Sequence, residues 1–447
     1  MELTNTLPAH APLARKDRIL LIDCIRGIAL LGILIMNITG QGQAHQLYDT
    51  MDVRLPLTGA NFYAWGIEMF FFEGTMRGLF SILFGAGTLL LINRLQKNNP
   101  GLTPVDIYYR RLLWLLVFGL INAYILLWPG DILYSYAIVG LLLFPFRNLS
   151  VKQMLTAAFI VLIVASYFEN KTLYDTKEVI TKGKQAELLL SQNKPVTEEQ
   201  KEFIGKWSEV KKNNVKDSLP ARFAEEEKKI KGKNYAAIFK YYKTVNTNIQ
   251  SYVFYTSYIW DVLIFLFIGM AVFKSGFLTG DKPTWLYLVM ALVGISIGLL
   301  INYYDLSIRY QLQFDGVKFK EQQQFEFYEL RRVFQSTGYL SLLILLYKLI
   351  PARKILNIFA PVGQMAFTNY LSQSIITSVI FYGFHKYGTL QRYELYYIVG
   401  GIWLFQIIFS TIWLRYFNFG PLEWVWRSLT YWKKYPIKRQ DEVSIGI

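Results

Sequence analysis

Cysteine is almost missing from this sequence: Cys24 is the single one in 447 residues. That excludes an intrachain disulfide and any cysteine-built metal site, and it leaves the redox compartment unreadable. Histidine is also scarce. His10, His45 and His385 are too few for a His-rich site, so no metal is expected. Charge is thin, at 18% of residues against the roughly 25% usual in soluble domains. The first 14 residues are neither strongly apolar nor basic, and no small-x-small site follows the first apolar run, so a cleavable signal peptide is not expected. No repeat of 20–50 residues is found either.

What is present is apolar and aromatic. Hydrophobic residues make up 53%, and Phe, Tyr and Trp together 17%. Such a chain puts rings against lipid and Tyr and Trp at the interfaces. The formal charge of +15 would suggest nucleic acid in a soluble protein. Here the basic residues flank apolar runs, so they read as topology signals and no nucleic-acid partner is expected; membrane lipids are.

A spanning helix needs about 20 mostly apolar residues. Ten candidates meet or approach that: Ile19–Ile38, Phe62–Ile92, Leu112–Trp128, Ile132–Phe146, Met154–Phe168, Ser251–Phe273, Trp285–Asn302, Val333–Ile350, Ala360–Phe384 and Leu395–Phe417. The second is too long for one straight span. Trp128-Pro129-Gly130-Asp131 is a tight turn that makes the third and fourth an antiparallel hairpin. With the N-terminus in the cytoplasm, Lys and Arg concentrate on that side: Arg15, Lys16, Arg18; Arg94, Lys97, Arg110, Arg111; Arg147, Lys152; Lys274, Lys282; Lys348, Arg353, Lys354; Lys433, Lys434, Lys438, Arg439. The expectation is an all-α polytopic integral membrane protein of about ten spans, both termini cytoplasmic, in a bacterial plasma (inner) membrane. Its parts are a membrane bundle over 1–168, a helical insertion over 169–250, a second bundle over 251–432 and a basic cytoplasmic tail over 433–447.

Residues 170–250 hold 17 Lys and Arg and 11 Asp and Glu. Thr197-Glu198-Glu199-Gln200 has the form of a capping box, and Ala224 to Lys233 reads as a second helical stretch. An extracytoplasmic helical insertion follows, either a solvated linker or a lid that recognises an acceptor. Residues 303–331, with Tyr303, Tyr304, Phe314, Phe319, Phe325, Phe327 and Tyr328, form a second loop on that side, too aromatic for a plain linker.

An ionisable group in an apolar span costs about 2.5–3.5 kcal/mol on insertion scales and calls for a reason. Asp23 and Arg26, three apart on one helix face, form either an ion pair that locks packing or part of a polar chamber. Glu68, Glu73 and Arg77 interrupt the second segment beside Gly74 and Gly78, as a break buried in protein or lining water would. Gly78, Ser81 and Gly85 share a small-residue face for close helix contact. Asp131 opens a helix as a cap or as a catalytic or acceptor-binding group. Asp261 has no partner evident from sequence. Asn369 and Gln373 share a face of an unusually polar span; they bond neighbouring helices or line an acyl or acceptor pocket. His45 follows the first span, and His is the commonest general base near neutral pH, although a lone loop His is usually incidental.

The run from Arg18 to Ile38, which contains Asp23-Cys24-Ile25-Arg26-Gly27 and ends in Asn37-Ile38, resembles the opening of the YeiB-type family, bacterial membrane proteins built on a domain of unknown function. Three further blocks resemble it: Phe80 to Gly87, Gly130 to Ala137 and Gly420 to Thr430. That family is more distantly similar to the transmembrane acyltransferases that include heparan-α-glucosaminide N-acetyltransferase, through an Asp-x-x-Arg-Gly first helix ending in Asn. There an essential His follows the first helix on the extracytoplasmic side, and the donor is cytoplasmic acetyl-CoA. The resemblance implies an acyltransferase-like core in residues 1–168, using acetyl-CoA or another acyl-CoA and a glycan or lipid acceptor. His45 would be the base. Arg94, Arg110, Arg111 and Arg77 would hold phosphates, and Asn369 or Gln373 would donate to the oxyanion. Asp23, Arg26 and Glu73 would belong to a polar chamber among the first, second, fourth and ninth spans, with Asp131 on its wall. A transporter or flippase, with discontinuous helices and buried charge at its site, and a membrane scaffold docked through the charged insertion are the rival readings. No signal for an oligomeric state is found.

Overall fold

The computed structural model describes residues 18–98 and 101–439; Arg15, Lys16 and residues 440–447 of the basic tail lie outside the described residues. Among them the fold is all-α. The N-terminal half holds α1 (Leu20–Gly42), α2 (Ala60–Ile67), α3 (Thr75–Asn98), α4 (Thr103–Leu120), α5 (Leu133–Leu143) and α6 (Val151–Ser191). Next come α7 (Glu198–Asn214), α8 (Leu219–Ile230), α9 (Tyr235–Asn248), α10 (Ile259–Lys274), α11 (Thr284–Gln311), α12 (Gly316–Gln322) and α13 (Tyr328–Lys348). The chain ends with α14 (Ile350–Leu356), α15 (Ala360–Gln364), α16 (Ala366–Ser378), α17 (Arg392–Tyr416) and α18 (Pro421–Tyr431).

Six helices among the described residues are long and apolar enough to cross a membrane: Leu20–Gly42, Ala60–Lys97, Val151–Ser191, Tyr235–Lys274, Thr284–Gln311 and Arg392–Tyr416. The other four expected spans are helical but do not reach that length or apolarity unbroken. The 11 residues of α5 extend only about 17 Å at 1.5 Å per residue. α13 opens with Glu329, Arg331 and Arg332, and α15 is cut from α16 at Met365.

α1 is the axis of the bundle. Its apolar stretch is 89% buried, against 22% in α6 and α11, which carry the peripheral apolar faces. Small residues bring backbones together around it. A Cβ on Gly27 would stand 2.2 Å from the Phe359 carbonyl oxygen, and one on Gly363 would stand 1.9 Å from that of Asp23. α3 and α10 cross the same way, with Gly85 against the Leu266 carbonyl and Gly269 against that of Ile82. Gly363→Ala is therefore expected to lose about 3 kcal/mol, the upper end for overpacking, because the blocking atoms are backbone. Gly87→Ala, with no atom within 4 Å, should be near neutral in thermal stability.

Several expected features take definite form. The break in the second segment falls at Glu73–Gly74, where Gly74 has φ +65° and the Arg332 side chain fills the space a Cβ would need. α4 and α5 pair as a hairpin: Tyr108 donates to the Gly140 carbonyl at 2.6 Å, and Leu112 lies against Gly140. Thr197 caps α7 with the reciprocal Gln200 bond. α8 begins five residues before the expected stretch and stops at Ile230, between Pro220 in its first turn and Gly232 at φ +68°. Residues 169 and 250, the expected bounds of the insertion, both fall inside continuous helical stretches. α6 runs as one 41-residue helix through residue 169, and Tyr235–Lys274 continues through residue 250. Residues 303–311, expected in a loop, belong to α11, and Phe314 and Phe319 are buried.

Candidate functional site: two cavities at opposite ends of the bundle

The first cavity, about 300 Å³, opens among the start of α1, the end of α3, the start of α4 and α18. Arg18, Arg26, Arg94, Arg111 and Arg427 line it, against the two acids Asp23 and Glu423. Both acids are engaged. Asp23 accepts from Arg26 at 3.0 Å and lies 3.7 Å from Arg18. Glu423 closes the start of α16, accepting from Phe367 N (2.8 Å), Thr368 N (3.0 Å) and Thr368 Oγ1 (2.5 Å). Arg111 and Arg427 lie on rings instead, 3.7 Å from the Trp426 centroid and 4.6 Å from that of Phe419. Trp426 in turn donates its indole N–H to the Arg111 carbonyl. Five guanidinium groups against two carboxylates give this mouth the electrostatics that favour a polyanion. Phe84, Leu112, Leu115, Leu133 and Phe367 make other walls of the cavity apolar, and Tyr136 and Tyr370 also line it.

The second cavity, about 360 Å³, opens at the other end of α1. His45, Arg77, Asp131, Trp128, Tyr48 and Tyr258 are among its walls, and Arg222 and Asn246 reach it from the insertion. Asp131 caps α5, accepting from Tyr134 N (2.8 Å) and from Asn122 Nδ2 (2.7 Å); Tyr370 Oη lies 3.5 Å away. His45 Nδ1 is buried without a hydrogen-bond partner among the described residues, as is Asn246 Oδ1. Unpaired polar atoms on a cavity wall are groups that a bound polar molecule can satisfy. Three segments bordering this end, Glu68–Phe72, Ile121–Ile125 and Ile249–Tyr258, widen into π-helical turns, a feature frequent at functional sites.

The turn carrying His45 is held from both sides. Its own backbone N–H donates to Glu226 of α8 at 2.8 Å. Arg392 of α17 donates to the carbonyls of Leu47 and Thr50, while its other nitrogen pairs with Glu68, which also accepts from Thr39 at 2.9 Å. Gly388 N donates to the Gly42 carbonyl at 2.8 Å. α8 is thus packed against the His45 turn.

The residues expected to share one chamber are divided. Asp23, Arg26, Arg94 and Arg111 line the first cavity; His45 and Asp131 line the second. Arg77, expected beside the donor phosphates, lines the second cavity, paired with Asp261 at 2.9 Å, because the break at Gly74 places it at the His45 end. Asp261 thereby has the partner the sequence did not reveal, and a second one in Arg332 at 2.8 Å. Arg110 borders neither cavity; it bonds Asp106 and the Thr430 carbonyl and stacks on Trp432. Glu73 pairs with Arg331 and accepts from Tyr328 at 2.8 Å; it lines neither cavity, although its neighbours Phe72 and Gly74 line the second. Asn369 donates to Ser410 at 2.9 Å and to the Val362 carbonyl, and Gln373 donates to Gln406 at 3.1 Å. Both amides join α16 to α17 and neither lines a cavity. Arg427, Glu423, Glu226 and Arg392 were not singled out by the sequence; Glu68 stood out as an interruption of the second segment without its partner, and Arg18 only as a topology signal. Glu423 and Arg427 do fall inside the Gly420–Thr430 block. Among the described residues no group of three or more His, Cys, Asp or Glu could hold a metal ion.

Residues 272–433 match the family described as "Protein of unknown function (DUF418)". The chain is 29% identical to the uncharacterized protein YxaH of Bacillus subtilis, over 97% of this chain and 99% of the relative. It is 28% identical to the uncharacterized protein YeiB of Escherichia coli, over 93% and 96%. An uncharacterized 39.9 kDa protein of Bacillus acidopullulyticus is 26% identical over 97% and 99%. No solved structure matches the chain. With six helices among the described residues long and apolar enough to cross a membrane, and these relatives aligned along nearly the whole chain, the chain resembles the YeiB-type proteins.

Proposed function

We propose that the protein transfers an acyl group from acyl-CoA, acetyl-CoA first among candidates, to a hydroxyl or amine on a glycan or lipid acceptor at the opposite membrane face. The observation that carries this reading is the pairing of unlike cavities. One has a mouth of five arginines and apolar walls, suited to a polyanion with an acyl arm. The other holds a histidine with an unpaired ring nitrogen, and Tyr136 lines both. The arginine-rich end is the cytoplasmic one by the positive-inside rule, so both termini are cytoplasmic in a bacterial plasma membrane. With α4, α5, α13 and the broken α15–α16 counted as crossings, the chain spans ten times and the insertion roofs the extracytoplasmic cavity.

The reaction follows from the parts. His45 takes the proton of the acceptor O–H or N–H as the acceptor heteroatom attacks the thioester carbonyl. The tetrahedral intermediate collapses, the C–S bond breaks, and the CoA thiolate recovers the proton from the His45 imidazolium. Asp131 fixes the start of α5, whose Tyr136 lines both cavities. Asn369 and Gln373 hold α16 to α17, a packing role.

Acetyl-CoA should stabilise the purified protein against heat far more than adenosine diphosphate at equal concentration. Arg111→Ala combined with Arg427→Ala should abolish that shift. A protein unmoved by millimolar acetyl-CoA, or a double variant that keeps the full shift, overturns the donor site. Two cavities with one wall between them also suit an alternating-access transporter. In vesicles, solute movement without acyl-CoA would favour transport, and label passing from acyl-CoA to a product would favour the enzyme.

A further inference from the structure

Tyr136 is the one described residue that lines both cavities. Tyr136 is 1% exposed and stands where the two linings meet. Residues before it on α5 divide by side: Leu133 faces the arginine cavity, Ser135 the His45 cavity. The ring packs on Phe84 (centroids 4.8 Å apart) and lies near-parallel to Phe80 at 6.2 Å. Its hydroxyl is 2.7 Å from Ser81 Oγ, and Ser81 spends its own proton on the Arg77 carbonyl at 2.9 Å, so Tyr136 is the donor. Two ring contacts and this hydrogen bond hold the Tyr136 side chain in place.

We infer that the Tyr136 ring is the wall between the two cavities and the element that sets which acyl groups cross: the ring leaves Ser81 when a short acyl arm passes, and it blocks longer ones. The selectivity rests on the acyl-transfer reading; the wall does not. When the acyl carbon moves from the CoA sulfur to the acceptor heteroatom it must reach the His45 cavity, and Tyr136 is the side chain common to both sides of that path.

Substituted-cysteine labelling tests the wall without catalysis. In a Cys24→Ser background, Leu133→Cys and Ser135→Cys should each react with a membrane-impermeant methanethiosulfonate added to one face of sealed vesicles only, and to opposite faces. Adding Tyr136→Ala should make both react from either face, whereas Tyr136→Phe, which keeps the ring, should preserve sidedness. Labelling from both faces with Tyr136 intact, or unchanged sidedness in a Tyr136→Ala protein that elutes as folded monodisperse material, overturns the wall. In the transfer assay, Tyr136→Ala should raise octanoyl relative to acetyl transfer by at least about tenfold, the scale on which pockets discriminate chain length. An unchanged ratio overturns the selectivity. If wild type transfers from no acyl-CoA, the acyltransferase reading fails, and the labelling still decides the wall.

Discussion

His45→Ala is expected to reduce acyl transfer by about 10²–10⁴-fold, the range a positioned general base contributes, while the thermal shift given by acetyl-CoA stays at its wild-type size. The two halves of this expectation come from the geometry. His45 lines the cavity bordered by α8, and the arginines line the other, so the substitution removes no donor contact. The imidazole is also a poor candidate for a structural role. Its Nδ1 has no hydrogen-bond partner among the described residues, and the turn is held through backbone groups, namely His45 N, Leu47 O and Thr50 O. Truncation should therefore leave the turn in place. His45→Gln, which keeps polarity but cannot serve as a base, should be as inactive as alanine. A His45→Ala protein with full transfer would remove the base assignment, and one that loses acetyl-CoA stabilisation would show that the two cavities are not separate in solution.

The parts of this fold that sequence reasoning reached are those set by neighbours along the chain. A capping box at Thr197, a Pro-Gly turn at residues 129–130, a break beside Gly74 and an i, i+3 pair at Asp23 and Arg26 are all local, and each exists in the structure. What it missed is set by partners far apart. Glu68 and Arg392 are 324 residues apart, and nothing in the composition around either names the other. Arg77 was placed with the wrong cavity for a related reason. The second segment is bent at Gly74, and whether a residue just after a bend belongs to one end of the bundle or the other depends on how far the preceding piece penetrates. Asn369 and Gln373 were drawn toward chemistry because amides in an apolar span are rare, yet such amides are just as well used by a neighbouring helix, and α17 offers Ser410 and Gln406 at the matching heights. The ionisable residues in this chain divide accordingly. Some close on each other in the interior, such as Arg332 with Asp261 and Glu329; others on the cavity walls, such as Arg111 and Glu423, sit on a ring or at a helix start.

The largest stability effect is expected at the Glu68–Arg392 pair. Arg392→Met should cost about 3–5 kcal/mol, because it leaves a carboxylate buried without its counter-charge. Glu68 is 0% exposed, and the hydroxyls of Thr39 and Tyr396 beside it cannot neutralise a full charge. The same substitution also frees the Leu47 and Thr50 carbonyls, so the His45 turn should loosen before the bundle melts. Glu68→Gln combined with Arg392→Met removes the stranded charge and should recover more than half of the lost thermal stability, since a buried pair replaced as a unit is often close to neutral. It should not recover transfer, because the Leu47 and Thr50 carbonyls of the His45 turn then lose their hydrogen bonds from α17. A single Arg392→Met protein as heat-stable as wild type would mean the pair is hydrated rather than buried. Full recovery of transfer in the double variant would mean that Glu226 and the Gly388–Gly42 bond hold the turn without Arg392.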